Sequence, residues 1–181
     1  AVRIKHLKAK VRELAFLHET SQLLTATLDL DSLLRSLMTQ VRDFFQVEAV
    51  SVALLDEASG QLTFRVAVGK ASKAVTGLKL PLGKGIAGWV AQHGESILVQ
   101  DVYDDPRFYS GVDEKTAFHT RTVLAAPIKA EQRTIGAIEA LNPAADVVDE
   151  RHLELLDQVA GQAALAIHNA ELYQRARRAE K

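Results

Sequence analysis

Cysteine is absent from all 181 residues. That excludes a disulfide framework, a thiolate nucleophile and any cysteine-ligated metal. A reducing compartment fits such a chain, and the expected location is the cytoplasm. Charge of one sign is also lacking. The 22 Lys and Arg stand against 23 Asp and Glu, for a formal net charge of −1. No global field therefore draws nucleic acid or an anionic membrane surface. No apolar run approaches the ~20 residues of a membrane span, and no signal peptide is visible. Proline is scarce, at four residues, and there is no low-complexity segment or internal repeat.

What is present is one domain's worth of chain plus some extra helix. Ile4, Leu7, Val11 and Leu14 keep an a/d spacing among basic residues, which predicts a narrow-seamed amphipathic helix to about Leu24. This charged helical pattern already runs at Ala1, as in a piece of a longer protein. Asp29 or Asp31 is placed to cap a second helix, whose buried face is Leu33, Leu34, Leu37, Met38, Val41 and Phe44 or Phe45. Val47 to Leu55 and Leu62 to Val68 read as a hairpin, and Leu78 to Leu82 as a short strand. Helices are predicted at Ile86–Gln92 and Asp113–Phe118, with a short strand at Ile97–Val99 between them. Thr122 to Lys129 and Thr134 to Leu141 form a second hairpin around Glu131-Gln132. Asp149 starts the longest helix, Glu150 to about Arg178. One seam of it is Leu153, Leu156, Ala160, Ala163, Ile167 and Ala170; a second face is Leu155, Val159, Leu165 and Leu172. Strands joined by hairpins imply an α+β fold: a central antiparallel sheet of about six strands, terminal helices on one face, short helices and loops over a ligand pocket on the other.

The chain is organised around Leu80 to Asn142. Within it Gly83-Lys84-Gly85-Ile86-Ala87-Gly88 matches G-x-G-x-x-G between a strand and a helix. A dinucleotide site would need a βαβ unit, and none follows. What remains is a tight turn whose helix-start amides can hold an anion. The six histidines show no paired metal spacing. Ser51, Ser110 and the threonines have no His–Asp partners at recognisable spacing, so nucleophilic catalysis has no support. Asp101, Asp104, Asp105, Asp113 and Glu114 could bind a cation, but turn and cap chemistry explains them as well.

The run GIAGWVAQHGESILVQDVYDDPRF, then YSGVDEKTAFHTRTVLAAPI, then IGAIEALN resembles a GAF domain. Such domains are regulatory modules of cyclic-nucleotide phosphodiesterases, bacterial adenylyl cyclases, histidine kinases and sigma-54 activators. The resemblance covers roughly Leu23 to Gln174. It divides the chain into an N-terminal signalling helix at 1–24, a GAF domain at 25–174 and the start of a linker helix at 175–181. The segment RFYSGVDEKTAFHTRTVLAAPI is most similar to the cyclic-nucleotide-binding members. Their ligand-contacting positions fall here on Ser51, Ile86, Ala87, Tyr109, Asp113, Thr116, Thr120 and Glu139. A cyclic phosphate suits the amides at Ile86-Ala87. Asp113 and Glu139 should accept hydrogen bonds from base or ribose donors. Glu139 is expected to touch ligand and not core, so its removal should leave the empty domain's stability unchanged. The chain also departs from the pattern. Asn142 is kept, but Pro143 stands where the family has Lys, no Phe precedes Asp149-Glu150, and Val68-Gly69-Lys70 replaces an acidic position.

The resemblance implies a non-enzymatic sensor of bacterial type, such as a two-component system uses. It would bind cyclic AMP or cyclic GMP, with no resident cofactor or metal, and signal through a homodimeric bundle of terminal helices to a covalently linked output domain. A ligand-free dimerisation and relay module, or a sensor of another metabolite, are the alternatives. Methionine sulfoxide reduction and bilin attachment both use the absent cysteine.

Overall fold

The computed structural model describes residues 1–24, 29–144 and 148–181. The boundary predicted at residue 25 lies outside them. Helices α1 (Val2–Leu23) and α2 (Leu30–Phe45) lead into the hairpin β1 (Val47–Asp56) and β2 (Gln61–Gly69). Then come α3 (Ser72–Val75), β3 (Lys79–Pro81), α4 (Gly85–His93), β4 (Ile97–Val99), one 3-10 turn (Val102–Asp104) and α5 (Gly111–Thr116). The hairpin β5 (Val123–Ala130) and β6 (Arg133–Pro143) precedes α6 (Glu150–Ala179). The six strands lie in the order β3-β2-β1-β6-β5-β4, every neighbouring pair antiparallel. This is the α+β architecture expected.

One face of the sheet carries the larger core. Val50 and Val52 of β1, Leu124 and Ala126 of β5, and Ile138 and Ala140 of β6 meet α2 and α6 there. The period-2 alternation of these strands sends their other residues to the opposite face. Within α2 the buried residues are Leu33, Leu34, Leu37, Met38, Val41 and Phe45, the stripe its sequence predicts. Phe16 of α1 is buried and stacks on Phe44, with ring centroids 4.2 Å apart. Asp149 caps α6: its carboxylate accepts from the Arg151 N–H, and His152 closes a capping box.

The structure refines the sequence reading at three points. The first α6 seam, which a homodimeric bundle of terminal helices would need free, is occupied within the chain. Leu153, Leu156, Ala160, Ala163 and Ile167 are buried against this sheet and its helices, and Leu155 and Val159 of the second face are buried too. The large apolar side chains that stay exposed on α6 are Leu165, Leu172 and Tyr173. The helix predicted at 113–118 begins at Gly111 and ends at Thr116, because Ala117 turns left-handed (φ 56°) and the Thr116 hydroxyl donates back to the Val112 carbonyl. The third concerns β2. Val52 faces Val66 while Ala53 faces Phe64, so Arg65 is an extra residue in the ladder. The bulge turns Leu62 and Phe64 to one face of the sheet and Val66 and Val68 to the other. It also points Arg65 at α2, where its guanidinium meets Asp31 at 2.8 Å.

Candidate functional site

The second face of the sheet supplies the floor of a cavity. Ser51 on β1 lies directly across from Glu139 on β6, and Glu139 across from Ala125 on β5. Cross-strand partners on one face sit about 5 Å apart, so a hydroxyl, a carboxyl and a methyl stand in one row. Ala49 and Ala67 widen the floor by being small. The wall comes from the glycine turn. Gly83 (φ 88°) and Gly85 (φ 72°) adopt left-handed backbone, and a Cβ on Gly88 would come within 3.1 Å of the Gly83 and Pro81 backbone. Only glycine tolerates all three positions without strain. The turn thereby seats the first residues of α4, Ile86 and Ala87, in the cavity wall.

The roof is α5 with the segments before and after it. Both oxygens of Asp113 are engaged by Thr120, from its N–H at 2.8 Å and its hydroxyl at 2.7 Å. Tyr109 lies over the cavity beside Gly111, where an added Cβ would overlap the ring at 2.1 Å. The Lys84 ammonium sits 4.0 Å from the Tyr109 ring centroid, a cation–π contact that holds the ring from above. Behind the roof, Arg107 clasps the Asp105 carboxylate and lies 4.6 Å from the Trp89 ring, tying the loop to α4. That guanidinium holds the Asp105 carboxyl below its ordinary value. Asp101, Asp105 and Asp113 thus serve turns, caps and the roof. Among the described residues no group of acidic or histidine side chains is spaced to hold a metal.

All eight residues singled out in the sequence line this one cavity. They arrive from β1, α4, the roof and β6, up to 88 positions apart in the chain. The cavity as it stands is narrow, about 60 Å³. Glu139 is half-buried and lines the cavity floor. Burial first, and the charge of Asp113 second, push its carboxyl up from 4.5 to about 7. Asp113 and Thr120, read from sequence as separate contacts, are bonded to each other.

The sequence reading missed Lys70, Phe64, Val75 and Phe108, which also line the cavity. Lys70 follows β2 where the family pattern is acidic, and its ammonium lies 4.0 Å from Glu48. Only its departure from that pattern marked it. Asn142 has a role the sequence did not reveal. Its side-chain oxygen accepts from the Arg121 and Thr122 amides, at 2.7 and 3.1 Å, and its amide group donates to the His119 carbonyl at 2.7 Å. It ties the entry of β5, just past Thr120, to the end of β6.

A family model described as the GAF domain matches residues 29–167. A probable 3′,5′-cyclic phosphodiesterase of Caenorhabditis elegans is 29% identical over 161 residues, covering 84% of this chain and 22% of that protein. The dual 3′,5′-cyclic-AMP and -GMP phosphodiesterase 11A of Takifugu rubripes is 30% identical over 143 residues, 77% of this chain and 14% of its own length. The chain thus spans less than a quarter of either relative. Among solved structures, the GAF domain of a phosphoenolpyruvate-protein phosphotransferase from Coxiella burnetii superimposes with a TM-score of 0.82 at 20% identity, over 90% of this chain and 96% of that one.

Proposed function

This chain belongs to the GAF domain family, and from that premise we propose that it is a non-enzymatic sensor whose cavity takes a cyclic purine nucleotide. The observation that carries the reading is the convergence of all eight motif residues on one cavity. The two phosphodiesterase relatives favour the same ligand class. The cyclic phosphate would lie at the Ile86 and Ala87 amides, where the start of α4 favours negative charge. The base would reach the acidic end at Glu139.

Ligand pockets run to about 300–1,000 Å³, well above the space now enclosed. Entry therefore requires α5 and its flanking segments to swing away from the sheet, and closure over the ligand would follow. The strands connect this event to the helices. Glu139 of β6 faces the cavity, while Ile138 and Ala140 on either side of it face α2 and α6. A ligand can bias two helix arrangements only by its differential affinity for them.

The output surface of this proposal is a homodimer. Ile4, Leu7, Val11 and Leu14 form an exposed stripe on α1, and Leu165, Leu172 and Tyr173 stand exposed on α6. A second copy would cover these residues, and a linked output domain in a longer protein would read the bundle. The narrowness of the cavity also favours a second reading, a ligand-free relay module. Thermal shift separates the two. Ligand at ~100 times its dissociation constant stabilises by about 2.7 kcal/mol, which raises the melting temperature by roughly 5–10 °C for this size. No shift with millimolar cyclic AMP or cyclic GMP, on protein checked to be free of bound nucleotide, refutes the nucleotide reading.

A further inference from the structure

Resting on the cyclic-nucleotide reading, we infer that one proton on the Glu139 carboxyl decides which purine the pocket holds: adenine when it is present, guanine when it is gone. The argument begins with the two acids in the cavity. Asp113 is committed, since Thr120 donates to both of its oxygens. Among the described residues no hydrogen bond holds the Glu139 carboxyl, which lies at the cavity floor beside the Ser51 hydroxyl. Glu139 is the acid left to meet a base edge.

The two purines ask opposite things of a carboxyl. Guanine presents donors at both N1 and N2, and a carboxylate accepts both as a charge-assisted pair. A protonated carboxyl has one oxygen too few for that edge. Adenine presents one donor, at N6, beside an acceptor at N1. A protonated carboxyl answers both, its carbonyl oxygen accepting from N6 and its O–H donating to N1. An ionised one leaves its second oxygen against the N1 lone pair.

The cavity places this exchange near neutrality. Burial and the Asp113 charge push the Glu139 carboxyl up to about 7. From α5 the facing charged group is Asp113, and from the end of β2 it is Lys70, itself 4.0 Å from Glu48. Tyr109 faces in from the roof. The described residues of β1, α4 and β5 that line the cavity bring no titratable side chain.

The test is calorimetric titration of the full chain with cyclic AMP and with cyclic GMP at pH 6 and pH 8, for wild type and for Glu139→Gln. A ligand that binds one protonation state loses about tenfold in affinity one pH unit to the wrong side of the pKa. Wild type should therefore bind cyclic GMP about tenfold more weakly at pH 6 than at pH 8, and cyclic AMP about tenfold more weakly at pH 8 than at pH 6. Glutamine offers one acceptor and one donor at every pH, so the variant should prefer cyclic AMP with no pH dependence. A wild-type preference constant across pH, or a variant that keeps the wild-type pH dependence, overturns the inference while nucleotide binding stands. Failure of both nucleotides to bind at either pH overturns the nucleotide reading and this inference with it.

Discussion

Replacing Glu139 by Gln in the empty domain should leave stability unchanged near pH 4.5 and raise it at pH 8. A carboxyl whose folded-state pKa lies above its unfolded value holds its proton more tightly in the folded chain. Between the two values the folded state binds more protons than the unfolded state. Stability therefore falls as pH rises from 4.5 through about 7, and is flat beyond. Each pH unit of that interval is worth about 1.4 kcal/mol, so the full cost of ionising Glu139 in place is at most about 3–4 kcal/mol. Water entering the cavity lowers the figure. The neutral isostere avoids that cost, which predicts a melting temperature higher by roughly 5–10 °C at pH 8.

The assay is urea unfolding of both proteins at fixed concentration across pH 4.5–8.5, taking the difference at each pH. The window is chosen so that other acids drop out. Asp105 and Asp149 are held below their ordinary values by Arg107 and His152, so their stabilisation is lost only as pH falls beneath the window. A difference that is the same at pH 5 and pH 8 would refute the reasoning, since it would mean that Glu139 titrates alike folded and unfolded. The result also bears on the expectation that Glu139 touches ligand alone. A difference that grows with pH would make Glu139 a stability determinant in the ligand-free domain as well.

Leu7→Lys combined with Leu165→Lys, both at exposed positions, should convert a dimer to a monomer by light scattering at micromolar concentration without lowering the thermal stability of each subunit; a monomeric wild type would refute the bundle. Lysine at Ala163 or Ile167, by contrast, should unfold the chain, because both are buried in the sheet-side core. Asn142→Ala removes a buried side chain that makes four hydrogen bonds, and should cost about 2–4 kcal/mol by denaturant midpoint; a loss below about 1 kcal/mol would show that water replaces the clamp. Glu131 and Gln132 both have positive φ in the two-residue loop between β5 and β6. Asn-Gly there suits a type I′ turn and should stabilise by about 1 kcal/mol, visible as a raised urea midpoint.

Local periodicity made much of the fold legible, and it failed where geometry broke the period. The α2 stripe and the α6 start follow from spacing and from Asp149, because a helix face and a cap are set by residues within one turn of each other. Leu62, Phe64, Val66 and Val68 alternate without interruption, and a regular strand would put them on one face. The bulge at Arg65 splits them between two cores, and nothing in the alternation marks it, since Arg65 is as polar as an outward residue of a regular strand would be. The α6 periodicity shows that two faces are apolar but not which of them meets this chain's own sheet. That depends on how the helix lies across β5 and β6. The site divides the same way. Residue types carried from the family motif converge on one cavity, yet motif position alone gives neither the Asp113–Thr120 bond nor the burial of Glu139. The first needs the left-handed turn at Ala117, which brings residue 120 back under residue 113. The second needs the roof closed over the sheet. Because Asp113 is fixed by Thr120, the roof carries a negative charge toward Glu139 only while α5 is seated. Displacing α5 removes the Asp113 charge, the second of the two causes that raise the Glu139 pKa. Roof position and the protonation of Glu139 are coupled by the fold itself.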